Sequence, residues 1–444
     1  MSIDKMPSPG QWAEENSNNQ PERTKQEVFP DVEEKFKNGF PEGYRPWVDG
    51  WSFNLDQLKK KLPDGTYSMI TLDLSISEDE YVKTVNEGPK EEISKRAEEN
   101  YKCEVGCKHC FECKTDTNND LMTFDEIKDV VSDAKKIGLE TVKFLGPGEL
   151  VHNPKLFEIL DYFEQENIKI GIFTKGVIFG DDEMAQRIFG MSADDLCQKI
   201  SKYNCARLLI GFTSADPETE HNRLQTSIKD FSIKRNKGIE NMVKEGFSAD
   251  PDNQKLALIC APILKDNIDE AFSIFKWGVK RNIPVVLTPT MVSGKGLDMP
   301  EIQDEQFKNE QLVDLYVKIY AWLIEQGIMT PEQLEKEGVS PYAGFACNQF
   351  ISGMFIRKDG RVQACPGNET GDFRYTDDIR KDNLEEVWKN SMGYKLRGEL
   401  IEKGEIVTTH KCYAKTEGEL LAKGSIPENF YKSVLDKTKE KIKA

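Results

Sequence analysis

The chain has 444 residues, with 60 Lys and Arg against 77 Asp and Glu, a formal charge of −17 and a pI near 5.0. So acidic a surface repels phosphate backbones, which makes nucleic acid a poor partner. No apolar run approaches the roughly 18–20 residues that span a bilayer, and the opening MSIDKMPSPGQ lacks an apolar signal region, so a cytoplasmic location away from membranes is expected.

Residues 1–65 are rich in Pro, Asn, Glu and Lys and read as an irregular N-terminal segment, with a short helix near Leu55–Lys61 that Asn54 could cap. From 66 to 300 short apolar runs alternate with amphipathic stretches. The strands are expected at Tyr67–Leu74, Thr141–Leu145, Lys169–Thr174, Arg207–Thr213, Lys255–Ile263 and Pro284–Pro289. Most are dominated by β-branched and large apolar residues, as suits parallel strands buried on both faces. Thr123 with Glu126 makes a capping box before a helix whose Phe124, Ile127, Val131, Ala134 and Ile137 share a face. Asn153 is expected to cap the next helix, with Leu156, Ile159, Leu160 and Phe163 inward, and further helices fit Ile228–Lys244 and Ile268–Lys280. This alternation suits a (β/α)6 partial barrel or an open doubly wound sheet. Residues 301–346 read as a helical linker, with a long amphipathic helix over 304–326; 347–424 as a smaller second domain; and 425–444 as a charged C-terminal helix.

Ten cysteines are far too few for a disulfide scaffold, which needs roughly 8–10%. Four of them fall between Cys103 and Cys113, and such clustering in a cytosolic chain reads as metal ligation. In Cys103-Glu-Val-Gly-Cys107-Lys-His-Cys110, three thiolates on a Gly-containing loop can hold three corners of a [4Fe–4S] cube, leaving the fourth iron open. On spacing alone a zinc site closed by Cys113 stays open. Cys197, Cys205 and Cys260 fall in apolar elements and read as packing residues, and His152, His221 and His410 as surface or turn residues.

The CxxxCxxC spacing resembles that of the radical S-adenosylmethionine (SAM) superfamily, which carries it on the loop after the first barrel strand. The resemblance implies an α/β fold, a (β/α)6 partial TIM barrel, in which Cys103, Cys107 and Cys110 hold a [4Fe–4S] cluster. The open iron would bind the amino and carboxylate groups of SAM, and an electron from the cluster would cleave it to a 5′-deoxyadenosyl radical that abstracts hydrogen from a substrate. Gly146-Pro147-Gly148-Glu149 resembles the family's Gly-Gly-Glu motif, which contacts the SAM amino group. Thr174-Lys175-Gly176 stands where the family has Thr-Asn-Gly. Ser214 and Arg223 stand where similar enzymes hold the methionine carboxylate or the ribose. His109 takes the place of an aromatic residue near adenine, and Asn267 and the Gly294-Lys295-Gly296 turn resemble further family positions. One departure is the length between Leu74 and Cys103, about 28 residues including the charged run Glu78–Glu99, which is either an insertion over the barrel mouth or a sign that the first strand lies elsewhere.

Cys347, Cys365 and Cys412 recur in the C-terminal third. Phe355-Ile-Arg-Lys-Asp-Gly-Arg-Val-Gln-Ala-Cys365 reads as a β-hairpin with an Asp-Gly turn, and Asn383–Trp388 as a short helix. Together they resemble a shortened SPASM or twitch domain, a smaller C-terminal hairpin and helix unit carrying an auxiliary iron–sulfur cluster on those three cysteines; three buried apolar cysteines are the alternative. The resemblance implies a peptide or protein side-chain maturase drawing electrons from flavodoxin or ferredoxin. A small-molecule alcohol dehydrogenase of the aminocyclitol-oxidising type is the second expectation, and a non-catalytic zinc-binding interaction protein the third.

Overall fold

The computed structural model describes residues 53, 55–77, 105–110, 120–146, 148–224, 226, 228–250, 253–287, 299–303, 308–339, 343, 349–366, 374–403 and 429–443. Nine strands form one sheet. They are β1 (Thr71–Leu74), β2 (Thr141–Phe144), β3 (Lys169–Thr174), β4 (Ala206–Gly211), β5 (Leu256–Cys260), β6 (Val285–Leu287), β7 (Gly353–Ile356), β8 (Val362–Gln363) and β9 (Arg374–Thr376). The order is β6-β5-β4-β3-β2-β1-β7-β8-β9, with every pair from β6 to β7 parallel and the last two antiparallel.

The helices between the strands are α1 (Leu55–Lys59), α2 (Phe124–Lys136), α3 (Leu156–Gln165), α4 (Asp182–Phe189), α5 (Ala193–Ser201), α6 (Pro217–Leu224), α7 (Phe231–Lys244) and α8 (Ile268–Val279). Then come α9 (Val313–Glu325), α10 (Pro331–Glu337), α11 (Gln349–Ser352), α12 (Leu384–Asn390), α13 (Met392–Glu402) and α14 (Phe430–Lys443). None is long and apolar enough to cross a membrane.

Strands 1 to 6 follow one another in space without a reversal. Because crossover connections share one hand, an unreversed order winds the helices onto a single face, unlike a doubly wound sheet. The packing agrees. Leu72 and Leu74, Val142 and Phe144, Ile170 and Ile172, Leu208 and Ile210, and Leu256 and Leu258 join one core with helix residues such as Val131, Leu160 and Ile274. On the other face Leu209, Ala257 and Val286 form a separate cluster with Phe173 and Ile259. Both faces are buried, which is why the strand sequences are apolar rather than alternating.

The sequence-predicted strands all form, most of them trimmed by one to four residues at an end; β4 starts one residue early, at Ala206, and residues 288 and 289 of the last lie outside the described ones. The expected first strand began at Tyr67, but the backbone of 67–70 is bonded elsewhere. Trp388 Nε1 donates to Tyr67 O at 2.8 Å, Arg397 Nη1 to Ser68 O at 2.6 Å, and Ile70 N to Ser352 O at 2.8 Å. Parallel pairing of β1 with β2 nevertheless makes Thr71–Leu74 the first strand of the parallel series; residues 78–104 lie outside the described ones.

Capping follows the sequence closely. Thr123 and Glu126 exchange both bonds of their box, Glu126 N to Thr123 Oγ1 at 3.2 Å and Thr123 N to Glu126 Oε2 at 2.8 Å. Asn153 does not cap α3; its Oδ1 accepts from Lys155 N at 2.9 Å, holding the turn ahead of a helix that starts from Lys155. The helix expected over 304–326 begins, as α-helix, only at Val313. Asn383 caps α12 as the sequence suggests, accepting from Glu386 N at 3.1 Å. The Asp-Gly hairpin also forms, with Gly360 at φ +84°, a left-handed conformation that suits glycine. Its first strand, however, is β7, which lies parallel to β1, so the hairpin extends the main sheet.

Candidate functional site

The site is assembled from segments at the carboxyl ends of β1 to β5, where open parallel sheets present their loops. After β1, Ser75 Oγ donates to Gly146 O at 2.7 Å and fixes the turn after β2. Gly148 in that turn has φ +88°, a conformation side chains rarely adopt. Glu149 follows and reaches across to the end of β3: its carboxylate accepts from Thr174 Oγ1, and from Lys175 N at 3.1 and 3.0 Å. Thr174 Oγ1 in turn accepts from Gly176 N at 3.0 Å. The two turns expected to face SAM are therefore one hydrogen-bonded unit. A carboxylate offers about four acceptor positions, so Glu149 retains capacity for a further donor.

At the end of β4 a second unit centres on Thr213. Its carbonyl accepts from Arg223 Nη1 at 3.1 Å and from Asn267 Nδ2 at 2.9 Å. Its N–H and hydroxyl both donate to Glu220. Glu220 pairs with Arg235 at 2.5 Å, both side chains only 1% exposed, and the Arg235 guanidinium lies 4.2 Å from the Phe212 ring centroid. Breaking one half of so buried a pair costs several kcal/mol, about 3–5, so the pair fixes the β4 end firmly. Next to it Ser214 Oγ donates to Glu270 Oε2 at 2.7 Å, and Arg223 Nη2 meets Asp266 Oδ2 at 2.5 Å.

The cysteine loop closes the space between these units. Cys110 N donates to Cys107 O at 3.3 Å, which puts both thiols on one turn, and Lys108 N donates to Leu224 O at 2.9 Å, which ties the loop to α6. Cys107 is buried and Cys110 half-buried. Burial pushes the Cys107 thiol up while the Lys175 ammonium pulls it down, with Cys110 and Glu149 adding to the rise. His109 is buried near cations: burial, then Lys175, Arg223 and Lys108, hold its imidazole well below the ordinary value. Burial alone would lower the Lys175 ammonium, but Cys107, Glu220, Glu149 and Cys110 together raise it.

The structure thus brings together Cys107, His109, Cys110, Gly146, Gly148, Glu149, Thr174, Ser214 and Arg223, with Asn267 behind them. Cys103, Cys113, Cys347, Cys412 and Gly294–Gly296 lie outside the described residues. Cys365 is not part of this site. It packs with Ile70, Phe350 and Ile351 at the amino end of β1, and four residues of strand, roughly 13 Å at 3.3 Å each, separate that end from the other. Cys197, Cys205 and Cys260 are buried in the main core, as their apolar surroundings implied.

The residues fit an iron–sulfur cluster and a polar nucleotide on two grounds. Thiols on one tight turn are the donors such a cluster takes. In addition, His109 Nδ1 and Arg223 Nε are buried, and among the described residues no hydrogen bond answers either; native proteins rarely leave such groups unanswered.

Sequence reasoning missed Lys175, Glu220 and Arg235 as parts of the site. It also missed the pair Asp73–Lys143 on neighbouring strands, 2.9 Å apart, with Lys143 also bonded to Gln349 Oε1. The available signal was a charged residue at an inward position of a strand otherwise apolar on both faces.

Three solved structures resemble this fold. Native anSMEcpe with bound AdoMet shares 11% identity over 84% of this chain and 98% of that one, with a TM-score of 0.53. Hexahistidine-tagged anSMEcpe with bound AdoMet shares 13% over 84% and 96%, at 0.49. SuiB of Streptococcus suis bound to S-adenosylmethionine shares 12% over 82% and 75%, at 0.46. At such identity the first of these shows a common fold. No curated protein matches the sequence. Residues 100–304, which contain the cysteine loop and the ends of β2 to β6, match the model of the radical SAM superfamily.

Proposed function

We propose that the chain is a radical SAM enzyme whose sheet forms a (β/α)6 partial barrel, with Cys103, Cys107 and Cys110 holding a [4Fe–4S] cluster. The observation that carries this is the convergence of Cys107 and Cys110 with Glu149, Thr174, Ser214 and Arg223 at one end of the sheet, inside the span that matches the superfamily. When bound, the cluster would supply one electron to SAM, cleaving a sulfonium carbon–sulfur bond to give methionine and a 5′-deoxyadenosyl radical that takes a hydrogen atom from the substrate.

The chain's own residues do the rest. Glu149, pinned through Lys175 N, presents carboxylate oxygen to the SAM ammonium, a charge-assisted bond. Arg223, held by Nη1 on Thr213 O and by its ion pair with Asp266, has a buried Nε that no described group answers and would offer a cation to a carboxylate. Flat, buried His109 would be the residue against which a base rests. Ligation demands thiolates, so loading the buried Cys107 releases its proton.

The substrate class is proposed to be a peptide or protein side chain, with Cys347, Cys365 and Cys412 holding an auxiliary cluster that accepts an electron after hydrogen abstraction. The hairpin β7–β8 and the Asn383-capped α12, both present, support the resemblance on which this rests. Anaerobic reconstitution tests both parts. Iron and sulfide near eight per chain, with 5′-deoxyadenosine released on adding dithionite and SAM, supports the reading; a colourless protein containing zinc and no iron overturns it.

A further inference from the structure

Lys175 stands where the resemblance expects asparagine, and its side chain has a built path. Its main-chain N–H is held by both oxygens of Glu149, at 3.1 and 3.0 Å. The following Gly176 is at φ +73°, and a methyl group there would stand 3.0 Å from Ile210 Cδ1, so the turn packs closely on β4. The lysine stem then crosses β4 at Gly211. A methyl group at Gly211 would stand 2.8 Å from Nζ, 2.9 Å from Cδ and 3.3 Å from Cε. The missing side chain of Gly211 is thus the groove in which Lys175 lies, with its ammonium within electrostatic reach of Cys107.

That ammonium forms no ion pair among the described residues. Of the carboxylates whose fields reach it, Glu149 is engaged by Thr174 and by main chain, and Glu220 by Arg235 and Thr213. Its positive charge, in a chain of net charge −17, lowers the Cys107 thiol, and Cys107 and Cys110 both act back on it.

Resting on the proposed function, we propose that Lys175 is the fixed counter-charge of the first cluster, a positioning residue that raises the cluster's reduction potential. On reduction one electron passes from an external reductant to the cluster, whose charge falls by one unit. A nearby cation favours that more negative state, since cluster potentials follow local charge and burial. The groove at Gly211 keeps the ammonium in place without an ion pair to any described carboxylate.

The test uses the full chain, anaerobically reconstituted, as wild type, K175Q, K175R and G211A. Each is titrated with dithionite against mediator dyes, following the reduced-cluster EPR signal that changes when SAM is added. K175Q is expected to lower the reduced-to-oxidised ratio at least about tenfold at the wild-type midpoint, a shift of 59 mV for one electron. K175R is expected to stay near wild type. G211A keeps the lysine but pushes its ammonium aside, so its midpoint moves in the same direction as that of K175Q even should K175Q fail to fold. Wild-type midpoints in K175Q and G211A would overturn the role of Lys175 alone. Wild-type protein that takes up no iron would overturn the proposed function itself.

Discussion

Lys143 on β2 and Asp73 on β1 form an ion pair of 2.9 Å on the sheet face opposite the helices, with side chains 4% and 2% exposed. The Lys143 stem packs into space left by Gly171, where a methyl group would stand 3.5 Å from Lys143 Cγ. Burial raises the Asp73 carboxyl, and Lys143 opposes that rise. K143M leaves a carboxyl buried without its cation, so it is expected to cost about 3–5 kcal/mol in urea unfolding. D73L/K143M removes both charges and should recover much of that loss. A single variant as stable as wild type would show that the pair contributes nothing.

Asp378 sits after β9 and governs how the C-terminal segment meets α2. Burial alone would raise its carboxyl, but hydrogen bonds from Arg380 and Lys381 overcome this and hold it at about 2. Arg380 continues to Asp120 at 3.0 Å and Glu126 at 3.6 Å. The folded value is depressed, so the stabilisation is fully present above the ordinary value of 3.8 and fades as pH falls through about 2. D378N is expected to be less stable than wild type at pH 5–7, with the gap shrinking as pH falls toward 2 and closing below it. A gap that stays constant with pH, in thermal unfolding followed by circular dichroism, would contradict the assignment.

Arg397 is a staple between the two ends of the described chain. Its buried guanidinium donates to Leu58 O and Ser68 O, both at 2.6 Å, and to Gln57 O at 3.4 Å. R397M matches the stem but leaves carbonyls unanswered, each worth about 1–3 kcal/mol when buried. We expect a fall in stability of that order and earlier hydrogen exchange at the amides of α1. Unchanged exchange there would mean that α1 is held by packing alone.

Glu149 tests the SAM-facing unit. E149Q keeps the shape of the side chain but removes the charge offered to an ammonium, so it should weaken SAM binding by about tenfold, the value of 1.4 kcal/mol. The amide should leave unfolding nearly unchanged, because its oxygen can still accept from Lys175 N. Wild-type affinity in equilibrium dialysis would remove Glu149 from the binding site.

Much of this fold was legible in the sequence because each signal was local. The apolar runs around Ile170, Leu208 and Leu258 are strands buried on both faces, and the Thr123–Glu126 box and the Asn383 cap act within a few residues. The parallel pairing of Gly353 with Thr71 was not legible, since strands some 280 residues apart in the chain carry no local mark of their register. The strand start at Tyr67 failed for the same reason: Trp388 and Arg397, distant in the chain, take the carbonyls that a strand partner would. At the candidate site, Cys107 and Glu149 were singled out from short motifs in loops, Thr174 from the end of a strand and Arg223 from its place after β4, and the structure sets all four at one end of the sheet. Lys175 was passed over because what gives it meaning is Gly211 on the next strand, and Glu220 because its partner Arg235 is one helix away.

The most direct test replaces Cys107 with alanine in the full chain and measures 5′-deoxyadenosine and methionine after anaerobic reconstitution, dithionite and SAM. Wild type should release both products in equal amounts, and C107A should release neither while keeping the circular dichroism spectrum of the folded protein. Cleavage of SAM by C107A at the wild-type rate would contradict the assignment of the cysteine loop.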